Sequence, residues 1–183
     1  DLGFPWGHLG QFLLLTGQRL GEVVGVEDSE IAGGVWSLSG ERTKNGRPHE
    51  VPLSEAALDV LAGVPRIGKE LVFTTNGKAP LSGFHKGRNH IATRMSELAG
   101  EAVEIPHFTF HDLRRTCATG QARLGVQTRV IEATLNHVSG SAAGVAGVYD
   151  RHGYASEKRA ALDAWAKHVV DIVGEQEKIS AGR

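Results

Sequence analysis

Apolar residues along the first part of the chain recur at helical spacing. Between Gly7 and Thr16 the run Leu9, Phe12, Leu13 and Leu14 leaves little polar face, which predicts a mostly buried helix. Gly17 interrupts it, and a second short helix carrying Glu22 is predicted over Leu20 to Val26. The period then changes. Ile31, Val35, Trp36 and Leu38 read as short strands turning at Gly33-Gly34, and His49 to Leu53 reads as another. Asn45-Gly46 lies between extended segments and is a strong hairpin signal. A small antiparallel sheet at about 30–53 is therefore predicted, with Lys44 beside the hairpin tip.

Helical spacing returns after residue 53. Ser54 is placed to cap a helix through Leu58 and Leu61. Another helix is predicted from about Ser82 to Leu98, with Phe84, Ile91, Met95 and Leu98 in the core. Thr109 and Asp112 have capping-box spacing, so a helix should start at Phe110 and end at Gly125. Val130, Ile131 and Leu135 mark a further helix. Ser139-Gly140-Ser141 reads as a flexible joint, and a short helix is expected to lead to Tyr149. The last predicted helix runs from about Glu157 to Val173 with a core stripe of Ala161, Trp165, Val169 and Ile172. Residues 175–183 are polar and are expected to form a flexible tail. No internal repeat or low-complexity block interrupts this pattern.

Composition changes this picture in three ways. The 183 residues, 40% hydrophobic and 22% charged, suffice for one domain with a real core. The chain starts at Asp1 and its one methionine is Met95, which reads as a fragment of a longer protein. A single cysteine, Cys117, excludes an internal disulfide and favours a cytosolic setting; no apolar run has membrane-spanning length. The net charge of -1 does not exclude a basic face, but it predicts weak nucleic-acid affinity for this piece alone.

Candidate chemistry begins at His111-Asp112-Leu113-Arg114. Residues three apart share a helix face, so His111 and Arg114 can point at one spot. An imidazole and a guanidinium beside a helix start suit a phosphate. Alone, the pair reads more readily as a solvated arginine and a partly buried histidine. Three further segments stand with it: Thr16-Gly17-Gln18-Arg19-Leu20-Gly21-Glu22, Leu135-Asn136-His137 and Ala146-Gly147-Val148-Tyr149.

Together these segments resemble the tyrosine recombinase family, most closely the integrases of prophages and genomic islands. The resemblance runs from about Gly7 to Val170, with the motifs in family order. It implies a mainly α-helical α+β fold with a small antiparallel sheet, the catalytic fold of DNA breaking-rejoining enzymes. It implies a catalytic domain over 1–174, a tail at 175–183, and N-terminal DNA-binding domains outside this piece. It also implies site-specific integration or excision of mobile DNA through a covalent 3′-phosphotyrosine, by a homotetramer on duplex attachment sites, in the cytoplasm. The isolated domain is expected to be monomeric, with no membrane partner.

By the same resemblance Arg19 and Arg114 grip the scissile phosphate, and Lys44 protonates the leaving oxygen. His111 assists proton removal, His137 donates to the phosphate, Tyr149 is the nucleophile and Glu22 buttresses the site. The gap from His137 to Tyr149 is longer than in many relatives, which leaves Tyr154 as the alternative nucleophile. No cofactor or metal is implied. There is no G-x-x-x-x-G-K-[ST] loop, and His107-x-x-x-His111 lacks the zinc-protease Glu, with Phe108 in its place. Trp36, Trp165, Phe84 and Cys117 are assigned to the core. A type IB topoisomerase and a non-catalytic DNA-binding remnant are the rival readings.

Overall fold

The computed structural model describes residues 2–100, 102–137 and 153–181, with side chains through 175. It is helical with one three-stranded antiparallel sheet. Helix α1 (Trp6–Thr16) is the central element and packs against most of the helices that follow it. Leu9, Phe12 and Leu13 are fully buried, as expected of a helix apolar on most sides. α2 (Leu20–Val24) follows after a left-handed Gly17.

The sheet order is β1 (Ile31–Ala32), β2 (Val35–Leu38), β3 (His49–Pro52). Trp36 pairs with Val51 and Leu38 with His49, so β2 turns Trp36 and Leu38 onto the core. Trp36 meets Phe12 with ring centroids 5.9 Å apart, and Phe12 meets Phe73 at 5.8 Å. This aromatic row links the sheet to α1. Ser54 caps α3 (Glu55–Ala62) by accepting from the Ala57 N–H.

α4 (Phe84–Ala99) lies where the sequence places it, but its core assignment needs correction. Met95 is 41% and Leu98 70% exposed. Only the first half of α4 reaches the core: Gly87 lies flat over the Trp6 ring and Ile91 lies beside Gly10.

α5 (Phe110–Arg123) starts as predicted. The Asp112 carboxylate accepts both the N–H and the hydroxyl of Thr109 at 2.8 Å, which holds its acid well below the usual carboxylate range. Gly125, at φ +80°, follows the helix end. α6 (Thr128–Thr134) is short.

α7 (Ala155–Ala181) differs from expectation twice. Its buried stripe is Lys158, Ala161, Leu162, Trp165 and Ala166, whereas Ile172 is 47% exposed. The helix is turned by its first residues. Lys158 Nζ donates to the Glu50 carbonyl (2.7 Å), and the Arg159 guanidinium donates to the Leu53 and Gly34 carbonyls (3.3 and 3.0 Å). These contacts tie the start of α7 to the sheet region beside its apolar stripe. The expected tail is the second correction, because the α7 backbone continues to Ala181. The Ser139-Gly140-Ser141 joint and the short helix before Tyr149 lie outside the described residues.

Trp165 seals the α1–α5–α7 junction. Its Nε1 donates to the Leu14 carbonyl at 2.8 Å and its six-membered ring lies on Gly120 of α5. No helix among the described residues is long and apolar enough to cross a membrane.

Candidate active site

Three turns converge at one end of α5. The α1–α2 turn brings Arg19, the loop before β3 brings Lys44, and the turn after α6 brings His137. The first turns of α5 add His111 and Arg114. These five side chains line one open cleft of about 530 Å³, together with Asn45, Arg115, Ala118 and Leu135. Chain separation is large, yet five of the six predicted site residues meet. The sixth, Tyr149, lies outside the described residues. Tyr154 is described: it immediately precedes α7 at φ +48°, its carbonyl accepts the Lys158 N–H, and it does not line the cleft.

Arg114 is held by backbone oxygens and Arg19 mainly by a carboxylate. Arg114 is 6% exposed; its two terminal nitrogens donate to the carbonyls of Gly17 (2.9 Å) and Leu135 (2.7 Å). Burial, and then the nearby Arg19 charge, push its pKa down to about 10. It therefore stays protonated at neutral pH. Arg19 donates to Glu22 Oε1 (3.1 Å) and more weakly to the Asn136 carbonyl (3.4 Å).

Glu22 is itself buried and also accepts the Lys44 backbone N–H at 3.2 Å. One carboxylate thus joins the first arginine to the lysine turn. The Lys44 side chain is exposed, as are His111 and His137. Among the cleft-lining residues the charge is all basic, so the near-neutral total conceals a local cationic patch.

Three consecutive carbonyls at the C-terminal end of α6 form a hub. Thr134 O accepts Gln18 Nε2 (2.9 Å) and His49 Nε2 (3.1 Å); Leu135 O accepts Arg114; Asn136 O accepts Arg19 and Asn45. Helix C-terminal carbonyls lack intrahelical partners, which makes them available to these donors. Donation to Thr134 requires the Nε2–H form of His49. Burial, then the Lys158 charge, lower its pKa to about 4, outweighing the opposing Thr134 bond. Gly17 is constrained on both counts: φ is +66°, and a Cβ there would stand 2.9 Å from Cys117 Sγ and from Leu135 Cδ2.

Sequence reasoning missed Asn45, Arg115 and the hub. Asn45 was visible only as half of a turn signal, and Asn136 only as the residue between Leu135 and His137. Cys117 is buried and its thiol is pushed up to about 12 by burial, in line with a core assignment. His107 lies before α5 rather than on it. Among the described residues no group of three or more His, Cys, Asp or Glu side chains is placed to hold a metal.

Comparison with known proteins is decisive for the family. A model of the phage integrase family matches residues 8–150, most of the chain. The chain belongs to the phage integrase family. The matched span contains all six predicted site positions. Prophage integrase IntA of Escherichia coli (strain K12) is similar to this integrase-family chain, at 30% identity over 133 residues. That alignment covers 72% of the chain but 30% of the relative, so the chain spans under a third of that protein's length.

Two solved structures share the integrase fold over 84% of the chain. The Tn1549 transposon integrase in complex with circular intermediate DNA matches with a TM-score of 0.57, 17% identity and 55% of that chain covered. A lambda integrase dimer bound to a COC′ core site matches with a TM-score of 0.55, 20% identity and 51% covered. The predicted fold, mainly helical with a small antiparallel sheet, agrees with both.

Proposed function

We propose that this chain is the catalytic domain of a site-specific DNA recombinase that cuts and rejoins duplex DNA through Tyr149. The observation that carries the reading is the convergence of Arg19, Lys44, His111, Arg114 and His137 on one cleft. Their types suit phosphoryl transfer. Two guanidinium groups, kept charged and fixed by the protein, stabilise the growing charge on the non-bridging oxygens and require no metal for it. His137 adds a hydrogen bond to the same phosphate.

In the proposed step the Tyr149 phenol oxygen attacks phosphorus while the bond to the 5′ oxygen breaks. A phenol has a pKa near 10, so at neutral pH its proton must be removed during attack, and His111 accepts it. The Lys44 ammonium gives a proton to the departing 5′ oxygen. The products are a 3′-phosphotyrosine and a free 5′ hydroxyl. Attack by another strand's 5′ hydroxyl reverses each transfer, so rejoining consumes no nucleotide. The position of Tyr154, before α7 and away from the cleft lining, favours Tyr149 as nucleophile.

The working assembly is proposed to be a tetramer on two DNA sites, acting on chromosomal DNA in the cytoplasm to integrate or excise a prophage-type element. Its DNA-binding regions beyond this catalytic domain belong to the same proposal. The test is incubation with a suicide duplex followed by a denaturing gel. A covalent adduct is expected from the unaltered chain and none from Tyr149→Phe. An adduct that survives Tyr149→Phe and disappears in Tyr154→Phe overturns the nucleophile assignment. Relaxation without strand exchange between two sites would point instead to topoisomerase activity.

A further inference from the structure

Lys44 presents a distinctive positioning problem. Its side chain is long and exposed, so the ammonium goes where the turn places it. Within the turn, Thr43 Oγ1 is hydrogen-bonded to the Gly40 and Arg47 carbonyls (3.1 and 2.8 Å), which shapes the loop but fastens it to nothing else. Among the described residues, turn 43–47 is tied to other elements of the site at two points. One is the Lys44 N–H on Glu22. The other is a reciprocal pair of amides between Asn45 and Asn136.

Asn45 Nδ2 donates to the Asn136 backbone carbonyl (2.9 Å) and to Asn136 Oδ1 (3.0 Å). In return, Asn136 Nδ2 donates to Asn45 Oδ1 (3.2 Å) and to the Arg47 carbonyl (3.3 Å). The amide orientations follow from their fixed neighbours. A backbone carbonyl only accepts, so Asn45 must face it with Nδ2, and the Arg47 N–H at 3.1 Å confirms Oδ1 on the other side.

Residue 136 sits at φ +48°. Glycine meets that backbone requirement most easily, and asparagine is tolerated there. An asparagine at this position supplies what glycine lacks, namely the two-way amide contact with the lysine turn. We propose that Asn136 is a positioning residue that locks the Lys44 turn onto the turn carrying His137 through its amide pair with Asn45. The proposal rests on the recombinase reading above, and assigns to Asn136 the job of placing the proton donor of that reaction. Without the pair the turn pivots on its Glu22 tether, and the ammonium samples positions away from the leaving oxygen.

Asn136→Gly removes the amide and relieves the backbone, so the fold is expected to survive. Adduct formation by the full chain is measured on two suicide duplexes, one with the ordinary 5′ oxygen and one with a bridging 5′ sulfur that needs little protonation. Misplacing a catalytic group by about an ångström costs up to about a hundredfold. Asn136→Gly is expected to slow cleavage of the oxygen duplex about tenfold or more and to leave the sulfur duplex within about threefold. Asn45→Ala should match it, and the double variant should be no slower than either single one. Equal slowing on both duplexes, or no slowing, overturns the proposal.

Amide hydrogen exchange over 43–47 separates this inference from the functional reading. Faster exchange in Asn136→Gly supports the lock even if the unaltered chain forms no adduct, an outcome that counts against the recombinase reading alone. Unchanged exchange overturns the lock.

Discussion

Gly120 stands in the middle of α5, where glycine ordinarily weakens a helix by about 1 kcal/mol relative to alanine. Helix propensity alone therefore predicts that Gly120→Ala stabilises the protein. The packing predicts the reverse. A Cβ at 120 would stand 2.1 Å from Cζ3, 2.6 Å from Cε3 and 2.7 Å from Cη2 of Trp165. That ring cannot retreat easily, because it is 4% exposed and its Nε1 is bonded to the Leu14 carbonyl. Overpacking of a filled core costs about 1–3 kcal/mol, and contacts this short belong at the upper end. The net expectation is a loss of about 1–2 kcal/mol, or roughly 2–8 °C in Tm for a chain of this size. Trp165→Ala should cost more, about 3–5 kcal/mol, through lost burial and an orphaned carbonyl. In that background the sign of Gly120→Ala should invert, since the clash is gone and about 1 kcal/mol of propensity remains. Urea unfolding of the four proteins in the cycle measures the coupling directly. A neutral or stabilising Gly120→Ala in the otherwise unaltered chain would refute the close-packing argument.

Four further outcomes are expected. His49 is buried neutral with its pKa near 4, below the ordinary 6.5, so the unfolded chain binds the extra proton between these values. Stability should then fall as pH drops from about 6.5 toward 4, by up to about 3 kcal/mol, and His49→Gln should flatten that slope; identical slopes by urea unfolding would sink the idea. Cys117, with its thiol near 12 and no surface, should resist a thiol reagent at pH 8 until the protein unfolds, and stoichiometric labelling faster than unfolding would contradict its burial. Lys44→Ala should slow cleavage of an oxygen substrate about a hundredfold or more and be largely rescued by a 5′ sulfur, whereas equal defects on both would count against proton donation. DNA binding by this chain, with its net charge of -1, should be weak, at about 10⁻⁴–10⁻⁶ M, and should weaken further with salt; nanomolar, salt-insensitive binding in a titration would refute this.

Local signals in the sequence located most elements because each carries its own physics. Ser54, the Thr109–Asp112 pair and Gly125 act within a few residues of themselves, and the structure uses all of them at helix ends. Period alone was less informative where a helix outruns its partner. Met95 and Leu98 continue the apolar spacing of α4, but both stay exposed. The α7 stripe was right at Ala161 and Trp165 and wrong at Ile172, and nothing in its periodicity singled out Lys158 and Arg159, which tie the start of the helix to backbone carbonyls of the sheet region. In the candidate site, His111 and Arg114 were legible by their spacing, and Arg19, Lys44 and His137 through the family resemblance. The carbonyls of Thr134, Leu135 and Asn136 were not, since every residue carries one and only the fold decides which become acceptors.

Those three acceptors give the turn after α6 an unusual kind of fragility. No substitution can delete a main-chain oxygen, so point changes at 134 or 135 leave the attachment atoms of Arg114, Gln18 and His49 chemically present. A single inserted or deleted residue is another matter. It shifts the whole series by one place, so that both arginines, the sheet histidine and the lysine turn each lose their own oxygen at once. Length along this turn is the quantity that inheritance must hold fixed, while the side chains at 134 and 135 answer only to the packing that buries them.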